Sequence, residues 1–163
     1  MGLAGVVLYD SLSTRIDKRP DNPWQYDVEE FKSVDEELLS HIEVRRIEID
    51  EPVALAWQNG KLFLLAGNSL QIITPEGREL LNKRIDHGPR SIWVGKDENI
   101  IVAYENYLVM YDGSGDELKR SSILDDESLI SSIAISDDII FAADAGKRSA
   151  WKLNNELEVM DEF

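Results

Sequence analysis

Histidine is scarce in this chain: His41 and His87 are the only two. Two imidazoles cannot by themselves build a multi-histidine metal site within one subunit. His87 precedes Gly88-Pro89 in a loop, with Arg90 three residues on, and is the better placed of the two to meet a ligand. His41 closes a short helical stretch, where the helix dipole favours a cation. Asp144, followed by Gly146 and Arg148, puts a carboxylate in a tight turn. There it can accept bonds from turn amides and pair with Arg148, or present its charge outward. His87, Arg90, Asp144 and Arg148 are therefore the candidate ligand-binding residues.

Other constellations are weaker. Asp112-Gly113-Ser114-Gly115-Asp116 alternates oxygen ligands as a calcium loop does. However, Glu117 occupies the sharp-turn glycine position and Ile123 the position of the bidentate glutamate. A turn between strands explains the same residues. The acidic clusters Asp125-Asp126-Glu127 and Asp137-Asp138 read as solvated loops, or as a patch for a basic partner if they share a face. There is no G-x-S-x-G elbow, P-loop or G-x-G-x-x-G. The chain has no cysteine, which removes thiol nucleophiles, disulfides and thiolate metal sites together. No catalytic set, cofactor or metal is expected, and the reading leans away from an enzyme.

The 163 residues carry 17 basic and 32 acidic side chains, a net charge of −15. A field of that sign repels phosphate backbones and anionic lipid heads. Nucleic acid and membrane insertion are thus excluded as partners, and a basic protein or cation suits the surface better. No apolar run approaches the roughly 18 residues that span a bilayer. The start Met1 to Tyr9 lacks the basic region and cleavage site of a signal peptide. The compartment is left open, with the cytoplasm slightly favoured.

The elements that must position these residues repeat. Pro52-Val53-Ala54-Leu55-Ala56-Trp57, Pro89-Arg90-Ser91-Ile92-Trp93-Val94 and Ile130-Ser131-Ser132-Ile133-Ala134-Ile135 each reach an apolar run after a stiff opening. Each leads through a polar turn to a second apolar strand: Lys61 to Ala66, Ile100 to Ala103, Ile139 to Ala143. An alternating third strand follows (Leu70 to Thr74, Leu108 to Tyr111, Ala150 to Leu153), and then a polar fourth (Glu79 to Ile85, Glu117 to Ile123, Leu157 to Phe163). The period is about 37 to 42 residues, the range of four-stranded propeller blades. Turn residues recur too often for the helices of a solenoid. The expected fold is all-β, a partial β-propeller of about three four-stranded antiparallel blades (residues 50–86, 87–124 and 125–163). Trp57, Trp93 and Trp151 should pack between blades.

Residues 1–49 form an N-terminal arm. Val6 to Asp10 echoes the third-strand pattern, Asp35 to Ile42 reads as a short capped helix, and Glu43 to Ile49 alternates as a half-exposed strand.

Phe141-Ala142-Ala143-Asp144-Ala145-Gly146-Lys147-Arg148-Ser149-Ala150-Trp151 resembles the strand-turn-strand segment of NHL-repeat propellers, keeping the Asp and Gly of the turn. It differs at Lys147, Ser149 and Ala150, and the other two copies lack the Asp. The resemblance supports the fold; the repeat architecture and the absence of a catalytic set point to a non-catalytic scaffold binding a protein or small ligand through its loops. Its alternative is a metal-dependent hydrolase or lyase built on central acidic and histidine residues. Closed propellers have roughly four to eight blades, so three leave the ring open. The chain is then a fragment, or pairs with a second copy into a six-bladed ring, or uses its arm as a cap, the first two being favoured.

Overall fold

The computed structural model describes residues 43–163. The chain divides into two units, Met1–Arg46 and Ile47–Phe163, and the second holds three separate antiparallel sheets. The first sheet comprises β1 (Pro52–Gln58), β2 (Lys61–Ala66), β3 (Ser69–Ile73) and β4 (Glu79–Arg84). The second comprises β5 (Ser91–Val94), β6 (Ile100–Ala103), β7 (Leu108–Tyr111) and β8 (Glu117–Arg120). The third comprises β9 (Ile130–Ser136), β10 (Ile139–Asp144), β11 (Ser149–Leu153) and β12 (Val159–Glu162). Strand order follows chain order in each sheet, so each is a simple meander. The first strands neighbour one another, β1 beside β5 and β5 beside β9. That is the arrangement of propeller blades around an axis.

Side-chain alternation explains how the sheets stack. Ile100 and Val102 on β6, with Val109 and Tyr111 on β7, pack with Phe63, Leu65, Leu70 and Ile72 of the first blade. The intervening Ile101, Ala103, Leu108 and Met110 pack with Ile140, Ala142, Trp151 and Leu153 of the third blade. Every residue of β6 and β7 is buried. Both inner strands of the middle blade are therefore continuous apolar runs, because a core covers each face.

The turn between third and fourth strands holds a left-handed residue in all three blades: Gly77 (φ 83°), Gly115 (φ 74°) and Leu157 (φ 63°). Glycine takes this conformation at little cost, whereas leucine is strained there by roughly 1–2 kcal/mol. Leu157 is offset by burial, since it is 1% exposed in the second core.

Three expectations need revision or limit. Trp151 is buried and Trp93 packs against the second core, but Trp57 is 56% exposed. It lies on the face of β1 that points away from the first core. Glu43 to Ile49 is not a strand. Its alternation reflects one-sided burial, with Ile47 lying against Gly77. The strand expected at Val6 to Asp10 and the helix expected at Asp35 to Ile42, with His41, lie outside the described residues.

Candidate functional site

The four candidate residues sit on the connections at one end of the blades. His87, Gly88, Pro89 and Arg90 link β4 to β5. His87 Nδ1 donates to Asn68 Oδ1 in the β2–β3 turn at 2.8 Å, which fixes the ring and leaves Nε2 as its remaining nitrogen. The Arg90 amide donates to the Ala103 carbonyl at 2.8 Å. Its residue lines a shallow groove of about 470 Å³ with Val53, Gly88, Pro89, Leu129, Ile130 and Ser131.

Asp144 is a structural staple. Oδ1 accepts from the amides of Leu129 (2.9 Å), Gly146 (3.0 Å) and Lys147 (3.1 Å), and Oδ2 from the Trp151 indole (2.9 Å). Burial works against its charge, but the donors from Leu129, Trp151 and Lys147 outweigh it and hold the carboxyl well below its ordinary value. The expected Asp144–Arg148 pair does not form: Arg148 is exposed at φ 59°, and the carboxylate is filled by other donors. Lys147 instead reaches Asp125 and Glu162, each at 3.0 Å, and lies over the Trp151 ring. Gly146 is needed for close approach, since a Cβ there would stand 2.2 Å from the Glu127 carbonyl oxygen. The structure thus places His87 and Arg90 in one connection and Asp144 and Arg148 in another turn, without bringing either pair into contact through their side chains, and Arg90 lines the shallow groove.

Asp112 likewise serves its turn, accepting from the Ser114 and Asp116 amides at 2.8 and 2.9 Å. Among the described residues, no group of three or more His, Cys, Asp or Glu side chains converges as a metal site would.

A polar network between the first two blades has no counterpart in the sequence reading. Asp86 accepts from Arg120 (2.6 Å) and from the Tyr107 hydroxyl (3.1 Å), and Arg120 also forks onto Glu117. Arg120 first, then Tyr107, keep the Asp86 carboxyl below its usual value despite partial burial. Tyr107 stacks on Tyr104, whose hydroxyl bonds that of Tyr111 at 2.8 Å inside the core. Burial is the main reason the Tyr104 phenol is pushed far up. These residues pin the β4–β5 connection to the second blade.

The larger groove, about 790 Å³, opens at the opposite end, between the second and third blades. Trp93, Ile101, Met110, Ile135 and Ile140 form its apolar floor. Its rim carries Lys96, Asp97, Asn99, Lys119, Asp137, Asp138 and Asn155. Lys119 is engaged with Glu156 at 2.6 Å, and Asp97 bonds Asn99.

Asp137 and Asp138 form the two-residue hairpin between β9 and β10, with φ of 49° and 64°. The matching hairpin between β1 and β2 is Asn59-Gly60, with φ of 50° and 72°. Asn-Gly is the preferred pair for such a turn; Asp also serves at its first position, so the strain falls on Asp138, which stands where glycine is favoured. The strain holds two carboxylates at the mouth of an apolar groove. Only the acidic pair, read as a solvated loop or patch, hinted at this site; its apolar floor depends on how two blades face each other.

No protein family matches the chain, and no curated protein matches it. Solved structures do. Virginiamycin B lyase from Staphylococcus aureus matches with TM-score 0.60 and 11% identity over 69% of this chain and 41% of that one. The WD40 domain of Neurospora crassa Pan2 matches with TM-score 0.57 and 17% identity over 67% and 34%. A Bacteroides caccae protein of unknown function matches with TM-score 0.53 and 14% identity over 69% and 45%. The chain has a β-propeller fold. At these identities the likeness concerns the fold alone. The chain spans less than half the length of each of these proteins.

Proposed function

We propose that this propeller unit is a binding scaffold whose inter-blade groove takes a basic, partly apolar segment of a protein partner. The strained Asp137-Asp138 hairpin carries the reading. Strain of this kind persists where the surrounding structure over-determines it, and it concentrates at functional sites. An apolar floor with a few convergent polar groups is the usual composition of a ligand site. A lysine or arginine in the partner would meet the two carboxylates while a neighbouring apolar side chain lies against Trp93. The net charge of −15 favours encounter with such a partner.

Short acetylated peptides combining Lys or Arg with Leu or Phe, titrated against the tryptophan fluorescence of the full chain, test this. Saturable binding is expected, weakening as salt is raised. Peptides with Glu in place of the basic residue should not bind. The Asp137→Asn/Asp138→Asn variant should bind the basic peptides roughly tenfold more weakly, the order of a pair of partly exposed charge contacts. Equal binding of basic and acidic peptides, or no binding at millimolar concentration, would refute it.

A further inference from the structure

The two junctions between blades share a turn but differ by one cation. In each blade the hairpin between the first and second strands ends on a left-handed residue: Gly60 (φ 72°), Glu98 (φ 63°) and Asp138 (φ 64°). Lys61, Asn99 and Ile139 follow them. The three are in register, since Lys61 pairs with Gln58, Ile139 with Ser136, and the Asn99 carbonyl accepts from the Gly95 amide at 2.9 Å. At the first junction, Lys61 Nζ crosses to the second blade and donates to both carboxylate oxygens of Glu98, at 2.7 and 2.9 Å. The same step from the second blade to the third leads from Asn99 to Asp138. Asn99 lacks the four-carbon reach of Lys61, and its amide turns back onto Asp97 in its own loop. Among the described residues, the Asp138 carboxylate has no hydrogen-bond or ion-pair partner.

The apolar positions beside this turn differ in the same sense. Val94 pairs with Ile100 as Ile135 pairs with Ile140, so Val94 and Ile135 are equivalent. Val94 is buried at the first junction, whereas Ile135 is half-buried on the floor of the larger groove. Trp93, Ile101 and Met110 lie side by side across three strands of the second blade and continue that floor. They offer a track for an aliphatic stem whose charged end stays at the rim. The rim's own lysines leave the position open. Lys119 is engaged with Glu156, and Lys96 makes no ion pair among the described residues. The second junction therefore has the carboxylate and the apolar floor but not the lysine.

We propose that the mouth of this groove is a lysine subsite. The side chain of a partner lysine sets its ammonium against Asp138 as Lys61 sets its own against Glu98, with its stem along the Trp93 side of the floor. This narrows the reading of the groove as a site for a basic peptide, and rests on it. At the first junction a single ammonium satisfies both oxygens of one carboxylate. A compact ammonium on a flexible stem suits that geometry, whereas a guanidinium presents a planar fork.

Matched acetylated peptides that differ only in Lys or Arg, titrated against the tryptophan fluorescence of the full chain, read the preference. The Lys peptide should bind at least about threefold tighter than the Arg peptide, and Asp138→Asn should remove that difference. Asn99→Lys supplies the missing cation from within. It should weaken the Lys peptide by about tenfold, while Asn99→Met, which has a similar stem and no charge, should weaken it by less than about threefold. A second arm needs no peptide. Carbodiimide condenses an amine with a carboxylate in contact with it, and mass spectrometry locates the bond. Lys61 should link to Glu98 in the wild type, and position 99 should also link to Asp138 in Asn99→Lys. A Lys61–Glu98 link without the second link, equal affinities for the Lys and Arg peptides, or a Lys peptide indifferent to Asn99→Lys would overturn the lysine subsite and leave a basic-peptide groove standing. Failure of both peptides to bind the wild type would overturn the two readings together.

Discussion

The middle blade and the first blade are copies of one pattern placed in different surroundings. In the middle blade, both faces of β6 and β7 are covered and every residue of those strands is buried. In the first blade, β1 alternates half-buried Ala54 and Ala56 with exposed Val53, Leu55 and Trp57. Strands β6 and β7 therefore stabilise through two faces, whereas β1 does so through one. Apolar side chains alone do not make a core; a second apolar surface must meet them.

Truncating one leucine on each blade breaks this comparison most strongly. Leu108 is fully buried in the second core, so Leu108→Ala should cost roughly 2–5 kcal/mol as a residual cavity opens. Leu55 is 66% exposed, and Leu55→Ala should change the stability of the single chain by less than about 0.5 kcal/mol. Urea denaturation at concentrations dilute enough to hold single chains measures both. Equal losses would show that the face of β1 is already covered.

Much of the first result was legible in the sequence. Turn residues at Asn59-Gly60, Gly77 and Gly115, with apolar runs between them, locate the strands to within about three residues, because local turn geometry and side-chain period are written locally. Burial was legible only in part. Trp57 and Trp151 look alike as aromatic residues on strands, and the difference between them is that Trp151 meets a neighbouring blade and Trp57 meets none among the described residues. The candidate site was less legible still. Asp144 stood out by its motif, yet its carboxylate serves its own turn. The groove floor joins Trp93 to Ile140 across two blades, and the Asp86–Arg120–Tyr107 network joins residues 34 apart or fewer across one connection. Such meetings depend on how whole blades face each other, which no short window of sequence encodes.

Asp144 sharpens the contrast between the third blade and the others, whose turns lack an equivalent carboxylate. Asp144→Asn should cost about 1–3 kcal/mol, because an amide group must face donors that a carboxylate accepted. Its pH dependence has a definite sign. The folded-state value lies below the 3.8 of a free carboxyl. Its stabilisation is therefore complete above about pH 5 and is lost as pH falls through 3.8 toward the folded value. Denaturation midpoints of wild type and Asp144→Asn should converge as the solution is acidified below pH 4, and parallel curves would remove Asp144 from the acid sensitivity of the fold.

The two hairpins offer a test in the opposite direction. Asn59-Gly60 and Asp137-Asp138 adopt one geometry with different strain. Replacing the second pair by the first, Asp137→Asn/Asp138→Gly, should raise stability by roughly 1–2 kcal/mol, since glycine and asparagine tolerate positive φ. The same exchange removes both carboxylates from the groove mouth and should weaken basic-peptide binding. A gain in stability with a loss of binding would mark the hairpin as a turn kept strained for function.

The smallest effect is expected at the blade-to-blade ion pairs. Lys61–Glu98, at 2.7 Å, joins the first blade to the second with about a third of each side chain exposed. Lys61 is the first cause holding the Glu98 carboxyl below its ordinary value. Partly exposed pairs contribute about 0–1 kcal/mol because water screens them and ordering two side chains is costly. Lys61→Met keeps the apolar stem that packs along β2 and removes only the charge, so it should cost less than about 0.5 kcal/mol. A loss above 2 kcal/mol would mean that the junction between blades is held by charge rather than by Phe63, Leu65 and the side chains of β6 against them.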